Sequence, residues 1–239
     1  MRETLLAETF VAVADTLVND FDLLEYLSLL TGRCVDLFDL SETGLMLADP
    51  PGGLQVAASS SEEMELLELF ELQHDQGPCL DCYRGGSQVH CADLSTATER
   101  WPLFAPEAMR AGFGSVFALP MRLRDDTIGA LNLLRHQTGD LAEEDLVAAQ
   151  ALADVATIGL LHHRAAEEAR LLTDQLQYAL NSRVIIEQAK GIIAEHAGLE
   201  MHEAFAALRG YARNHNARLV DVAHAVAERT LSCGAIVAG

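Results

Sequence analysis

ALNSRVIIEQAKGIIAEHA, residues 179–197, carries the single lysine of the chain, Lys190, seven residues after Arg183. Seven residues are close to two helical turns, so both cations fall on one stripe of a helix. Leu180, Val184, Ala189, Ile192 and Ile193 fall on its other faces. The stretch reads as an amphipathic helix with a small basic stripe, set in a chain whose formal net charge is −20.

Outward from this helix the charge is uneven. Residues 164–239 hold eight Lys/Arg against nine Asp/Glu, a net of −1, and residues 1–163 hold eight against twenty-seven, a net of −19. The first part would repel nucleic acid, and the second permits it. A length of 239 residues is about one and a half typical domains, and a hydrophobic fraction of 50% supports a buried core and argues against wholesale disorder. No apolar run reaches the roughly 18 residues of a membrane span. MRETLLAETF lacks the basic-then-apolar layout of a signal peptide, so a soluble, cytoplasmic protein without a membrane partner is expected. Five cysteines are an odd number in a chain that can hold a core without staples, which makes reduced thiols the expectation.

In chain order, Leu6, Phe10, Val13 and Leu17 have helical spacing over residues 3–18, and Asn19, Asp20 and Asp22 can cap a second helix from Leu23 to about Leu37. GLMLAD and LQVAAS read as short strands around the turn DPPGG, and SEEMELLELFEL as a helix with acids in its first turn. QGPCLDCYRGG is a Gly/Pro-punctuated segment leading into the short strand SQVHCADL, followed by a helix over 99–111. SVFALPMRL and TIGALNLLR flank the polar turn Arg124–Asp126 as a hairpin. From about residue 141 a helix opens that nothing breaks cleanly before Gly198, so the domain border falls inside it, around 160–170. Leu172, Leu176 and Ala179 repeat at four and three, as in a short coiled-coil seam. Helices follow over Met201–Asn214 and about Leu219–Leu231, and the tail CGAIVAG is expected to fray. The fold expected is an α+β domain over 1–163, with a mostly antiparallel sheet and flanking helices segregated to one side. A long helix, about 141–197, joins it to an all-α three-helix bundle over 164–233.

Three elements of the C-terminal third come in order: S-R-x-x-I from Ser182, A-K-G from Ala189 and E-A-F-x-x-L-R-x-x-A from Glu203. Over about fifty residues this part resembles the ANTAR domain, the RNA-binding three-helix module of bacterial transcription antiterminators. The helix pair, GLMLADPPGGL, the GPCLD segment and the two late strands resemble the GAF domain found ahead of such modules in actinobacterial regulators. The resemblance implies a regulator that binds stem-loops in leader transcripts, prevents the terminator hairpin from forming and acts as a homodimer. Such a homodimer could use the seam at Leu172. No receiver domain is recognisable, so the resemblance implies control through the GAF domain, by a small molecule or a redox signal. RNA contact then falls to Arg183 and Lys190, and to Arg209 and Arg213 as a second i, i+4 stripe, since arginine's flat fork suits phosphates and looped-out bases. The plainer reading is that Arg183 and Lys190 only pair with Glu187 between them. Gly191 would let another helix approach closely.

His74, Cys79, Cys82, His90 and Cys91 lie within eighteen residues. Structural thiols, a redox pair and a metal or haem site all stay open, with packing thiols favoured, because one C-x-x-C is weak evidence for zinc. Cys79, Cys82, Cys91 and the sole tryptophan, Trp101, are the sensor candidates; no metal and no cofactor is assigned. Some GAF domains reduce methionine sulfoxide with cysteines, but no catalytic signature stands out and an enzyme is not expected. The alternatives to an RNA-binding antitermination regulator are a protein-interaction signalling module without RNA binding and a thiol-redox GAF protein.

Overall fold

The computed structural model describes residues 2–15, 22–49, 53–124 and 126–238. Leu17, Asn19, Asp20, the Pro50–Gly52 turn, Asp125 and Gly239 therefore lie outside the described residues. The chain forms two compact units, Met1–Arg164 and Ala165–Gly239.

The first unit opens with α1 (Arg2–Asp15) and α2 (Leu23–Phe38). Asp22 caps α2: its Oδ1 accepts from the backbone N–H groups of Leu24 and Glu25 at 2.8 and 3.0 Å. Strands β1 (Glu42–Ala48) and β2 (Leu54–Ser59) lead to α3 (Glu62–His74), whose first turn is closed by the Ser61 hydroxyl on Met64 N–H. The punctuated segment is itself a helix, α4 (Pro78–Gly85). Its Gly and Pro mark the ends: Pro78 needs no N–H at the first helical position, and Gly86 leaves in the left-handed region at φ 57°. Then come β3 (Val89–Cys91), a 3-10 turn over Leu94–Ala97, α5 (Phe104–Arg110), β4 (Ser115–Leu123) and β5 (Asp126–Arg135). The helix α5 is shorter than its sequence window.

The strands form one sheet in the order β2-β1-β5-β4-β3, with every neighbouring pair antiparallel. Side chains alternate across it. Leu45, Leu47, Phe117, Leu119, Leu131 and Leu133 pack on one face with α1 and α2, and with Ala149, Leu152, Ala153, Ala156 and Leu160 of the long helix α6 (Glu143–Ala197). Met46, Val116, Ala118, Ala130 and Leu134 pack on the other face with α3, α4 and α5. Helices therefore cover both faces, not one side as expected from the sequence, because both strand faces are apolar and each must be buried.

Helix α6 is unbroken for 55 residues. By length and composition an 18-residue window within it could cross a membrane, although it contains no uninterrupted apolar run of that length. Polar residues such as Gln150 and Asp154 interrupt the run without lowering its average enough. The burial of Ala149 to Leu160 against the sheet gives its apolar residues a place in a folded core.

In the second unit, α7 (Met201–Asn214) and α8 (Leu219–Ala227) pack on the end of α6 around Ala189, Ile193, Ala204, Leu208, Ala212, Val222, Ala223 and Val226. A reciprocal Glu200–Glu203 capping box starts α7. The tail does not fray: Cys233–Ala238 is a short helix, α9, and Ile236 is 2% exposed in the same core. A Cβ on Gly191 would meet nothing within 4 Å, so this glycine does not serve a close helix approach.

Candidate functional site

Two regions carry the candidate residues, one in each unit. In the first, the α4 cysteines Cys79 and Cys82 and the ring of Trp101 are fully buried in the core beneath the sheet, and Cys91 packs against it half-buried. Cys79 Sγ lies 3.8 Å from the Ala130 carbonyl and Cys91 Sγ 3.3 Å from that of Asp93. The Trp101 indole N–H donates to Asp81 Oδ2 at 3.1 Å, and Arg100 lies 4.6 Å over the same ring while bonding Asp81 at 2.9 Å. A groove of about 360 Å³ opens over Cys91, His90, Asp93, Arg100 and Trp101. The four sensor candidates are thus brought into one neighbourhood.

That neighbourhood does not activate the thiols. Burial pushes Cys82 and the distant Cys34 up to about 12, Cys79 well above its ordinary value, and Cys91 upward. A protonated, buried thiol is a poor nucleophile and a poor metal ligand. Among the described residues no three His, Cys, Asp or Glu side chains converge to hold a metal ion. His74 is engaged with the Phe70 carbonyl at 2.8 Å, and His90 with Gln88 at 3.2 Å.

The same core holds a polar cluster that the sequence reading missed. Glu68 and Glu71, both on α3, are 0% exposed, and Asn132 of β5 is 1% exposed beside them. Glu71 Oε1 accepts from Leu80 N–H at 2.9 Å at the start of α4. Gly77, at φ 151°, leaves room for this carboxyl, and Gly44, paired with Asn132 across β1 and β5, leaves room for that of Glu68. A Cβ at either glycine would collide with the carboxyl group. Burial is the main cause that raises both carboxyls, Glu71 to about 8 and Glu68 well above its ordinary value. A signal was available in the helical phase. Met64, Leu67, Glu68 and Glu71 follow the i, i+3, i+4, i+7 spacing of one face, while Leu66 and Leu69 point to solvent.

In the second unit, Arg183, Arg209 and Arg213 are exposed. Among the described residues they form no ion pair. Lys190 differs. Its side chain is 16% exposed, its Nζ lies 2.9 Å from both Glu187 oxygens and 5.4 Å over the Phe205 ring. The plainer pairing thus holds for Lys190 with Glu187 and not for Arg183. Phe205, which carries the lysine, sits one turn before Arg209 on α7. Arg218 is held in a fork by Asp221 at 2.8 and 3.0 Å.

Comparison with known proteins places these regions. The family model described as "GAF domain" matches residues 22–160 and that described as "ANTAR domain" matches residues 174–226. No curated protein matches the chain. Among solved structures, the GAF domain of a Coxiella burnetii phosphoenolpyruvate-protein phosphotransferase is 16% identical, with 69% of this chain and 98% of that one covered at a TM-score of 0.54. The corresponding Acinetobacter domain is 15% identical over 66% and 94%, with a TM-score of 0.52. Free methionine-R-sulfoxide reductase from Neisseria meningitidis, in complex with its substrate, is 17% identical over 67% and 91%, also at 0.52. At these identities the likeness is one of fold.

Proposed function

Because the chain belongs to the GAF family and carries an ANTAR domain behind it, we propose that it regulates transcription antitermination by binding stem-loop RNA in leader transcripts. Both matched domains are regulatory modules. Arg183, Arg209 and Arg213 grip phosphates and looped-out bases, and Lys190 borders that surface with most of its reach spent on Glu187 and Phe205. One observation carries the reading: three exposed arginines without an ion partner among the described residues lie on α6 and α7, in a chain whose remaining residues are strongly acidic. Residues 164–239, which carry them, have a net charge of −1 against −19 for residues 1–163, so this part repels a polyanion far less.

The protein acts in the cytoplasm as a homodimer. Leu172 and Leu176 are more than half exposed and Ala179 is exposed with them, so this stretch of α6 offers an unpartnered apolar seam. The same seam favours the second reading, a protein-interaction module without RNA binding. The GAF domain senses a small molecule at the Trp101 side of its core. A thiol-redox role is less well supported, because burial keeps the cysteines protonated.

Recovery of RNAs bound to the full chain, followed by sequencing, is the test. A recovered stem-loop should bind with an affinity that falls steeply with added salt, as counterion release requires. No enriched RNA, or salt-insensitive binding, would favour the interaction module.

A further inference from the structure

Glu68, Glu71 and Asn132 do not line the groove beside Trp101. Four of their acceptor oxygens are buried without a hydrogen-bond partner: both of Glu68, Oε2 of Glu71 and Oδ1 of Asn132. The donors nearby, the Asn132 amide beside both carboxyls and the Leu80 and Cys79 N–H groups beside Glu71, offset burial only in part and leave these four atoms without a partner of hydrogen-bond geometry. Acceptors gathered without donors are strongly unfavourable inside a protein. Something that donates must complete the cluster.

A metal ion does not suit it. Calcium takes roughly six to eight oxygens and magnesium retains several waters. Four oxygens are available here, and the space beside them at Gly44 and Gly77 is already filled by the carboxyls themselves. Two protons do suit it. A protonated carboxyl gains one O–H donor, so two protons turn four stranded acceptors into a bonded array. Because Glu71 Oε1 already accepts from Leu80 N–H, its proton belongs on Oε2.

We propose that Glu68, Glu71 and Asn132 form a proton-binding site in the sensor, which fastens α3 and α4 to the sheet when both carboxyls are protonated and loosens them when one ionises. The groups around the pair reinforce this. Glu65 and the two glutamates themselves come from α3, and Asp81, Cys79 and Cys82 from α4, with Arg100 bound to Asp81 at 2.8 Å. The strands β1 and β5 present Gly44 and Asn132, which bring no charge. A carboxylate formed here would meet other acids in a dry core, and water would have to enter between α3 and α4 to relieve it. The folded values lie above the 4.5 of the unfolded chain. The proton-bound contacts therefore stabilise fully below 4.5, and their contribution is lost as pH rises through about 8. The signal is then the proton itself, supplied and removed by solvent, and it is independent of whether the second unit binds RNA.

Trp101 packs in the same core and is the only tryptophan, so its fluorescence in the full chain reports the event. A reversible change centred near pH 8 is expected, with faster amide exchange over residues 62–85 and helix content retained. Glu71→Gln and Glu68→Gln, which keep the shape but cannot ionise, should shift or abolish that midpoint. Infrared spectroscopy of the unmodified chain should find a protonated-carboxyl band at neutral pH that bleaches over the same range, which needs no variant to fold. A flat fluorescence profile with no such band would overturn the proposal, as would a midpoint unchanged in both variants. Stabilisation of the wild type by calcium or potassium ions alone, lost in Glu68→Gln, would assign the site to a cation and also overturn it.

Discussion

Replacing Arg183 and Lys190 separately by alanine should give different outcomes, although the two lie on one helical stripe. Arg183 is exposed and without an ion partner among the described residues, so its whole fork is available to a phosphate. A charge-assisted hydrogen bond is worth about 1.5–3 kcal/mol, or roughly ten- to hundredfold in affinity at about 1.4 kcal/mol per decade. Arg183→Ala should also lower the slope of log affinity against log salt by about 0.7–0.9, because one phosphate fewer is neutralised. Lys190 is already committed, with Glu187 at 2.9 Å and the Phe205 ring at 5.4 Å. Removing it forfeits an i, i+3 pair worth about 0.3–0.5 kcal/mol and a cation–π interaction worth about 0.5–1 kcal/mol. The loss of about 1 kcal/mol falls on the α6–α7 packing, visible as a lower urea midpoint with little change in the salt slope. Anisotropy of a labelled stem-loop recovered with the protein, measured over a salt series beside circular dichroism, separates the two effects. If Lys190→Ala lost more affinity than Arg183→Ala and flattened the slope, the lysine would be the phosphate ligand and the geometric reasoning would fail. Wild-type binding by Arg183→Ala, Arg209→Ala and Arg213→Ala alike would remove the RNA face altogether.

Leu172→Glu combined with Leu176→Glu should turn a dimer into a monomer in sedimentation, since both side chains are more than half exposed and face no partner within the described residues; an unchanged mass would place the dimer interface elsewhere. Native-state alkylation at neutral pH should modify Cys91 and Cys233 and spare Cys34, Cys79 and Cys82, whose burial raises them and blocks access; equal labelling of all five would refute the packing role. Ile236→Ala should destabilise the second unit by about 2–5 kcal/mol in a urea melt, because the side chain is 2% exposed; a change within about 0.5 kcal/mol would mean that the tail frays after all.

What the sequence reveals is largely what periodicity and punctuation can carry. β1, β2, β4 and β5, the cap at Asp22, and α7 at Met201–Asn214 are legible because each has a local cause within a few residues. The helix α4 is hidden because glycine and proline read as loop marks, whereas here they bracket a short helix. The second covered face of the sheet is not legible either, since the alternation of a strand tells which residues share a face and not what covers it.

Glu68 and Glu71 show a deeper limit. An acid-rich helix reads as a solvated one by composition, and only the phase of Met64 and Leu67 assigns those two carboxyls inward. Their environment is then completed from far away in the chain: Gly44 and Asn132 come from strands, Gly77 and Leu80 from the segment after α3. No window of the sequence contains that cluster, although each member is individually ordinary. The same holds for Lys190, whose lack of freedom depends on Phe205, fifteen residues away on another helix. Local pattern locates elements, whereas the protonation of a carboxyl or the reach of a cation is decided by partners that only the fold assembles. A substitution that preserves every local pattern can therefore still change the site, and Gly44→Ala is such a case. It leaves the strand pattern of β1 untouched but puts a methyl group where the Glu68 carboxyl lies. Overpacking there should cost about 1–3 kcal/mol. The cost should shrink in Glu68→Ala/Gly44→Ala, where the space is freed, and full additivity of the two changes in a double-mutant cycle would show that they do not touch.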